Sequence, residues 1–394
     1  MAFEYPKPYP LREFNVYVIL PPAGSFFVFP PHAAAENKFI KRRGKNEKNK
    51  ENTLCTGRCR HADRLSRRVR VRRQRTCRHR RRWFRLPAAG GIGPLTGDYA
   101  NYGTSNRNGA QIAVDEINAA GGVNGFNFTL DFQDSQGNPD SAVAAYGKLM
   151  DNGMDVSLGG TFSGETQSIV AAAKADSILV LTATASSKAC IEGNDCAFRV
   201  CFNDPAQGAA SANYIADNNL ATKIAVFYAS DNDYCVGLYD TFAAECETLG
   251  LEVVEVQTFT SSTNTDFSTQ INAIKDSGAE LVFLPIYAAE ASTLLTQASG
   301  KLENVVYFGC DGLDGLLTKV SDPALVEGVM MLTPFAANST DENVQSFVTA
   351  YEAAYGTVPD QFAADGYDAI YTIAAALQQA GITSENKDDT FNEK

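Results

Sequence analysis

Histidine and tryptophan are missing from most of this sequence. All three histidines (His32, His61 and His79) and the single tryptophan, Trp83, lie among the first 90 of 394 residues, so the chain from residue 91 onward works without an imidazole. Ser-His-Asp and Cys-His nucleophile pairs, His-containing zinc sites and histidine general bases are thereby excluded from that part. Cations are scarce there too. Residues 91–394 carry 11 Lys/Arg against 40 Asp/Glu, a net charge of −29, which repels nucleic acid and anionic membrane surfaces. No stretch reaches the roughly 18 uninterrupted apolar residues of a membrane-spanning helix. What is present is ordinary for globular protein, 44% hydrophobic and 20% charged, in a chain long enough for two or three domains.

Residues 1–90 have the opposite character, with 23 Lys/Arg, 6 Asp/Glu and a net charge of +17. The stretch KRRGKNEKNK followed by RLSRRVRVRRQRTCRHRRRWFR shows no apolar periodicity, so 1–90 reads as a disordered basic arm. A shift of the reading frame by one base gives it another meaning. Arginine codons then become alanine and glycine codons, and permissible choices from Asn46–Glu47 to Arg70 yield approximately MKKIKKILSALAAAAMLTACLAACG. That is a lipoprotein signal: a basic start, an apolar middle, and a lipobox whose cysteine spans Val69 and Arg70. Residues 71–87 become the Gly/Ser-rich tether that follows a lipidated cysteine. A second apolar stretch at 14–35 is interrupted by Pro21, Pro22, Pro30 and Pro31 and is a poor export signal.

From Gly91 the chain alternates short β-rich runs with amphipathic stretches of helical length. FNFTLDFQD precedes SAVAAYGKLMDNG, DVSLGG precedes TQSIVAAAKAD, and KIAVFYA precedes YDTFAAECETLG. The expected fold is α/β, with two doubly wound Rossmann-like lobes. The runs IAVF and LVFL are continuously apolar, as strands buried on both faces require. Each ends in small or polar residues, Ser230 to Tyr234 and Tyr287 to Glu290, where ligands bind in such sheets. Two helices, about 341–355 and 361–380, close the pattern.

Three loops carry chemistry. GGIGPLTG at 90–97 has the spacing GxGxxxG, and Pro94 removes a backbone donor that a phosphate needs, so a dinucleotide enzyme is a weak reading. GGTFSGETQ at 159–167 joins a strand to a helix. It places Ser163, Gly164 and Glu165 near free helix-end N–H groups that favour a carboxylate; alternatively, Ser163 simply caps a helix beginning near Glu165. ILVLTATASS at 178–187 is a strand running into small hydroxyl-bearing residues, suited to close approach by a small polar ligand.

In order, GPLTGDYANYGTSNRNGAQIAVDEINAAGGVNG, GGTFSGETQ, LVLTATASS, FRVCFNDPAQG, DNDYCVGL, FLPIYAAE, GCDGLDG and PDQFAADGYDAIYT resemble the substrate-binding proteins of branched-chain amino acid ABC transporters, over about residues 91–380. The resemblance implies the type I periplasmic-binding fold, two lobes joined by a multi-strand hinge and closing on a free amino acid. The N-terminal lobe is expected at 91–203 plus 335–394 and the C-terminal lobe at 204–334, with crossings near Phe202 to Pro205 and Thr333 to Phe335. The resemblance places the carboxylate-binding serine on Ser163, with Gly164 beside it and Ser186 adding a hydroxyl and a backbone donor. The Ala185 carbonyl and Asp311 take the ammonium, and Tyr102, Tyr234 and Tyr287 line the cleft. Phe162 replaces a smaller residue. No catalytic residue, cofactor or metal is implied. The implied partners are the amino acid and the permease subunits, not nucleic acid, with membrane attachment only through the lipid anchor, for a monomer working outside the cytoplasm.

Two departures stand out. RLPAA occupies the start of the family's first strand, which is expected to be damaged, and the family continues beyond the position of Lys394, so the chain is expected to be truncated. Cys190 and Cys196 flank the loop IEGND and are candidates for a disulfide in an exported protein, with free buried thiols as the alternative. The rival readings are a ligand-sensing domain of the same fold, which as a regulator needs a folded DNA-binding unit that 1–90 lacks, and a nucleotide-dependent enzyme.

Overall fold

The computed structural model describes residues 15–19, 26–29 and 88–383. Two strands come first, β1 (Asn15–Ile19) and β2 (Phe26–Phe29). Strand–helix alternation then begins with β3 (Ala88–Gly93), α1 (Ala100–Ala119), β4 (Thr129–Asp134) and α2 (Pro139–Asn152). It continues through β5 (Val156–Gly160), α3 (Ser163–Asp176), β6 (Leu179–Thr182) and β7 (Ala197–Arg199). These make a parallel sheet in the order β4-β3-β5-β6-β7. The strand order reverses at β3, so a crevice opens beyond the carboxyl ends of β3 and β5.

The expected damage to the first strand is not found. β3 pairs along its length with β4 and also with β5, although its sequence, AAGGIG, has a single β-branched residue. Neighbouring side chains supply the bulk that β3 lacks. A Cβ on Gly90 would sit 2.1 Å from the Met154 sulfur, and one on Gly91 would sit 2.2 Å from the Phe132 ring. Glycine is thus what lets those two large side chains lie flat on the strand.

The second sheet follows α4 (Asp204–Asp217) with β8 (Lys223–Ala229), α5 (Asp233–Leu249), β9 (Glu252–Phe259) and α6 (Ser268–Ser277). Next come β10 (Leu281–Leu284), α7 (Ala288–Ala298), β11 (Val306–Gly309) and β12 (Met330–Thr333). Its order is β2-β1-β12-β11-β10-β8-β9, parallel from β12 to β9. All four residues of β10 are fully buried, the reason for their unbroken apolar run. The order reverses at β8, which faces a second crevice mouth toward the first.

β1 and β2 correct the expectation of a wholly unstructured arm. β1 pairs antiparallel with β12, from Asn15 opposite Thr333 to Val18 opposite Met330, and β2 pairs antiparallel with β1. The sequences NVYVI and FFVF are rich in β-branched and aromatic residues, and β12 would otherwise be a bare sheet edge. The rest of the arm, with the frame-shifted signal and lipobox, lies outside the described residues.

After β12 the chain returns to the first sheet as α8 (Glu342–Tyr355) and α9 (Gln361–Gln379), and Ala369, Ile370 and Ile373 of α9 share a core with Ala110, Ala113 and Val114 of α1. The chain therefore passes between sheets after β7 and again after β12. Three side chains carried with the first sheet, Tyr102, Phe162 and Phe362, are buried in the core of the second. That intrusion of rings marks where the two lobes close.

Candidate ligand site between the two sheets

On the first sheet, β5 runs into α3 through Thr161 and Phe162. Ser163 is the first helical residue, and it is not the cap. The Phe162 N–H donates to Glu165 Oε2 at 3.1 Å, and Glu165 Oε1 accepts from the Ser135 hydroxyl at 2.5 Å. Because Glu165 closes the helix end, the Ser163 oxygen is free to face the next loop. It accepts the Ser187 N–H at 3.2 Å. Burial pushes the Glu165 carboxyl up to about 7, against the hydrogen bonds that lower it.

The loop after β6 is tied down by its own small residues. The Thr184 hydroxyl donates to the Thr161 carbonyl at 2.7 Å, and the Ala185 N–H to the Thr182 hydroxyl at 3.2 Å. The Ser186 carbonyl accepts from the Asp204 N–H at 3.1 Å and from Arg199 at 2.9 Å. Ala185 and Ser186 are both buried, and Gly164 lies half-buried in the first turn of α3.

The second sheet brings up Tyr234, Tyr287 and Asp311. Asn232 caps α5 by accepting the Tyr234 N–H at 3.1 Å, which fixes that tyrosine over the crevice. Its hydroxyl donates to Asp311 Oδ1 at 2.7 Å and accepts the Gly312 N–H at 2.9 Å. Gln361 Nε2, arriving on α9, donates to Asp311 Oδ2 at 3.1 Å. Asp311 is 3% exposed, and burial raises its carboxyl to about 6 despite these donors. The Tyr287 ring stacks on Tyr234 with centroids 5.1 Å apart.

Tyr102 crosses between the lobes. From α1 its hydroxyl donates to the Gly312 carbonyl at 2.5 Å and accepts the Ala288 N–H at 2.9 Å. Tyr99 beside it donates to Glu290 Oε1, and Gln167 of α3 donates to Asp233 of α5 at 2.8 Å. The expected residues thus meet at one place, Ser163, Ala185 and Ser186 from one side, Tyr234, Tyr287 and Asp311 from the other. Tyr102 is more than lining, since its hydroxyl is committed to second-lobe backbone.

One residue at the site was not anticipated. Asp204, first in α4, is 1% exposed, and neither carboxylate oxygen has a well-formed hydrogen bond. Burial pushes it up to about 8, with repulsion from Asp311 adding to the rise, while the nearby Ser186 hydroxyl and Arg199 ease it. In the sequence its NDP context reads as a chain crossing capped by Asn203, so its carboxyl goes unnoticed. Phe162, larger than the residue the resemblance expects there, packs its ring against Tyr99, Tyr102 and Tyr287. The candidate disulfide is not formed: Cys190 is a buried free thiol donating to the Ser163 carbonyl at 3.5 Å, and Cys196 is an exposed free thiol. Among the described residues no cluster could hold a metal ion, and no helix is long and apolar enough to cross a membrane.

Hydroxyl and helix-end donors on one lobe thus oppose buried carboxylates on the other, across a wall of rings. Residues 88–393 match the model of the periplasmic binding protein family. The chain belongs to that family. As a periplasmic binding protein it is a solute receptor of two parallel-sheet lobes and not an enzyme. It is 27% identical over 298 residues to Leu/Ile/Val-binding protein homolog 3 of Brucella melitensis, covering 75% of this chain and 80% of that one. It is 30% identical over 303 residues to an amino acid binding protein of Pseudomonas aeruginosa, covering 76% and 80%. Among solved structures, the branched-chain amino acid transporter substrate binding protein LivJ of Streptococcus pneumoniae, in complex with isoleucine, superposes with a TM-score of 0.71 at 27% identity, covering 77% of this chain and 87% of that one. The leucine binding protein LivK of Thermotoga maritima has a TM-score of 0.69 at 24% identity, covering 78% and 86%, and supports the fold alone.

Proposed function

We propose that this periplasmic binding protein is the extracytoplasmic receptor of an ABC importer, closing its lobes on a free amino acid with an apolar side chain, branched-chain or other, and delivering it to the permease. The observation that supports the reading is that α3, which begins at Ser163, and the second-sheet residues around Asp311 are brought together by ring contact of Phe162 with Tyr287, which stacks on the Tyr234 that holds Asp311. Ser163 holds a hydroxyl proton beside the first turn of α3, where a carboxylate is stabilised. Asp311 and the Ala185 carbonyl are acceptors for an ammonium. Ser186 and Gly164 add donors on the carboxylate side, and Tyr102, Tyr234 and Tyr287 face the side chain. Relatives that bind Leu, Ile and Val by name support the same ligand class.

The lobes are assigned as 91–203 with 335–394, and 204–334, hinged near Phe202 to Pro205 and Thr333 to Phe335, with β3 extending the first lobe back to Ala88. A monomer tethered by a lipid anchor fits delivery to a membrane permease. The test is a thermal-shift and calorimetric screen of the protein against the free amino acids. One or a few are expected to raise the melting temperature and bind one to one, with a smaller radius of gyration by X-ray scattering. A screen in which no amino acid binds contradicts the reading.

A further inference from the structure

We propose that Phe162 sets the size of the ligand by occupying the side-chain end of the site, so that the amino acid bound has a side chain of alanine or serine size and not of leucine size. The inference rests on the amino-acid reading above and narrows it. Phe162 directly precedes Ser163, so its ring starts from the backbone that presents the carboxylate donor. From there it enters the space that Tyr99, Tyr102 and Tyr287 enclose, with centroid distances of 5.5, 5.5 and 4.7 Å. Tyr99 and Tyr102 each also lie within 5.7 Å of Tyr287. Carbon atoms in contact are about 3.5–4.0 Å apart, so a methyl group held between two ring faces needs centroids roughly 7–8 Å apart. None of the pairs that involve Phe162 or Tyr287 leaves that gap. The rings fill one another's space, and a branched four-carbon side chain has no room among them.

The backbone that carries the ring is fixed. The Phe162 N–H is held by Glu165 Oε2 at 3.1 Å and its carbonyl accepts the Thr166 N–H at 2.9 Å. Phe162 is 8% exposed and belongs to the second-sheet core, although it is carried with the first sheet. With the lobes together, the ring packs against both Tyr102 and Tyr287. The ring's aromatic neighbours are Tyr99, Tyr102 and Tyr287 and not the groups proposed for the two charged ends, Ser163, Ser186, Ala185 and Asp311, so the ring limits the side chain and not the recognition of an α-amino acid.

The test is calorimetry on the whole protein with glycine, alanine, serine, valine and leucine, repeated with Phe162→Ala and Phe162→Leu. Wild type is expected to bind alanine or serine more tightly than leucine by on the order of 10²-fold, the discrimination a small pocket achieves against several extra methylenes. Both variants are expected to gain leucine affinity, Phe162→Ala more than Phe162→Leu. Wild-type binding of leucine as tight as alanine overturns the inference and leaves the amino-acid receptor standing. An alanine preference that the folded variants retain also overturns it, because the limit would then lie elsewhere. If neither variant folds, the wild-type series decides. Failure of every amino acid to bind refutes the receptor reading itself, and this inference with it.

Discussion

The Tyr102 hydroxyl reaches from the first lobe to the Gly312 carbonyl of the second at 2.5 Å, where it also accepts the Ala288 N–H. One phenol thus satisfies two backbone groups that closure would otherwise bury unpaired. Tyr102→Phe should weaken the closed form by about 1–3 kcal/mol, the cost of stranding buried polar groups. The expected outcome is a larger radius of gyration without ligand and a weaker amino-acid affinity. Unchanged values for both contradict a latch at Tyr102.

Both oxygens of Asp311 accept hydrogen bonds, from Tyr234 and Gln361, which fixes the carboxyl in place; the proposed reading gives it the ligand's ammonium. Asp311→Asn keeps the shape and removes the charge. Amino-acid affinity should fall by roughly 1–3 kcal/mol, the scale of a charge-assisted hydrogen bond. Calorimetry that finds no change removes Asp311 from the ammonium site.

Asp204 gives the ligand-free protein a pH dependence. Its carboxyl lies at about 8 when folded, against an ordinary 3.8. Between those values the folded state holds a proton that the unfolded state has released, so stability falls as pH rises from about 4 to 8 and levels off above. Asp204→Asn should flatten that fall and raise the melting temperature at pH 8. The gain should be about 1–3 kcal/mol, the scale of an unsatisfied buried polar group. Melting curves from pH 5 to 9 check it. Parallel curves for the two proteins contradict a proton held at Asp204.

Val16 is paired on both sides, with Leu332 of β12 and Phe29 of β2. Val16→Pro removes its N–H from the ladder and should detach the hairpin, uncovering the edge of β12. A lower melting temperature and concentration-dependent association by light scattering are expected. A variant that melts and scatters like wild type shows that the hairpin does not guard that edge.

How far the sequence could be read depended on whether burial or long-range contact decided each feature. LVFL and IAVF announce their strands because both faces of each are covered. Ser163 and Tyr234 stood out as candidates because one starts a helix and the other follows a continuously apolar strand, whereas Asp311 came from the resemblance alone. β3 misled because its bulk comes from Met154 and Phe132, which no local pattern reveals. β1 and β2 were hidden by flanking prolines and the arginine run. Asp204 was missed because an Asp beside a helix start looks like a capping residue, and Asn203 takes that role through the Ala206 N–H. Tyr99 and Glu290 are 191 positions apart, and only the closed lobes bring them together.

The most direct test of an amino-acid clamp compares, by calorimetry, the tightest-binding amino acid with its 2-oxo acid and its carboxamide. If Asp311 and Ala185 hold an ammonium while Ser163 and Ser186 hold a carboxylate, each analogue should lose on the order of 10²-fold in affinity or more. An analogue lacking either charged end that binds as tightly as the amino acid contradicts that site.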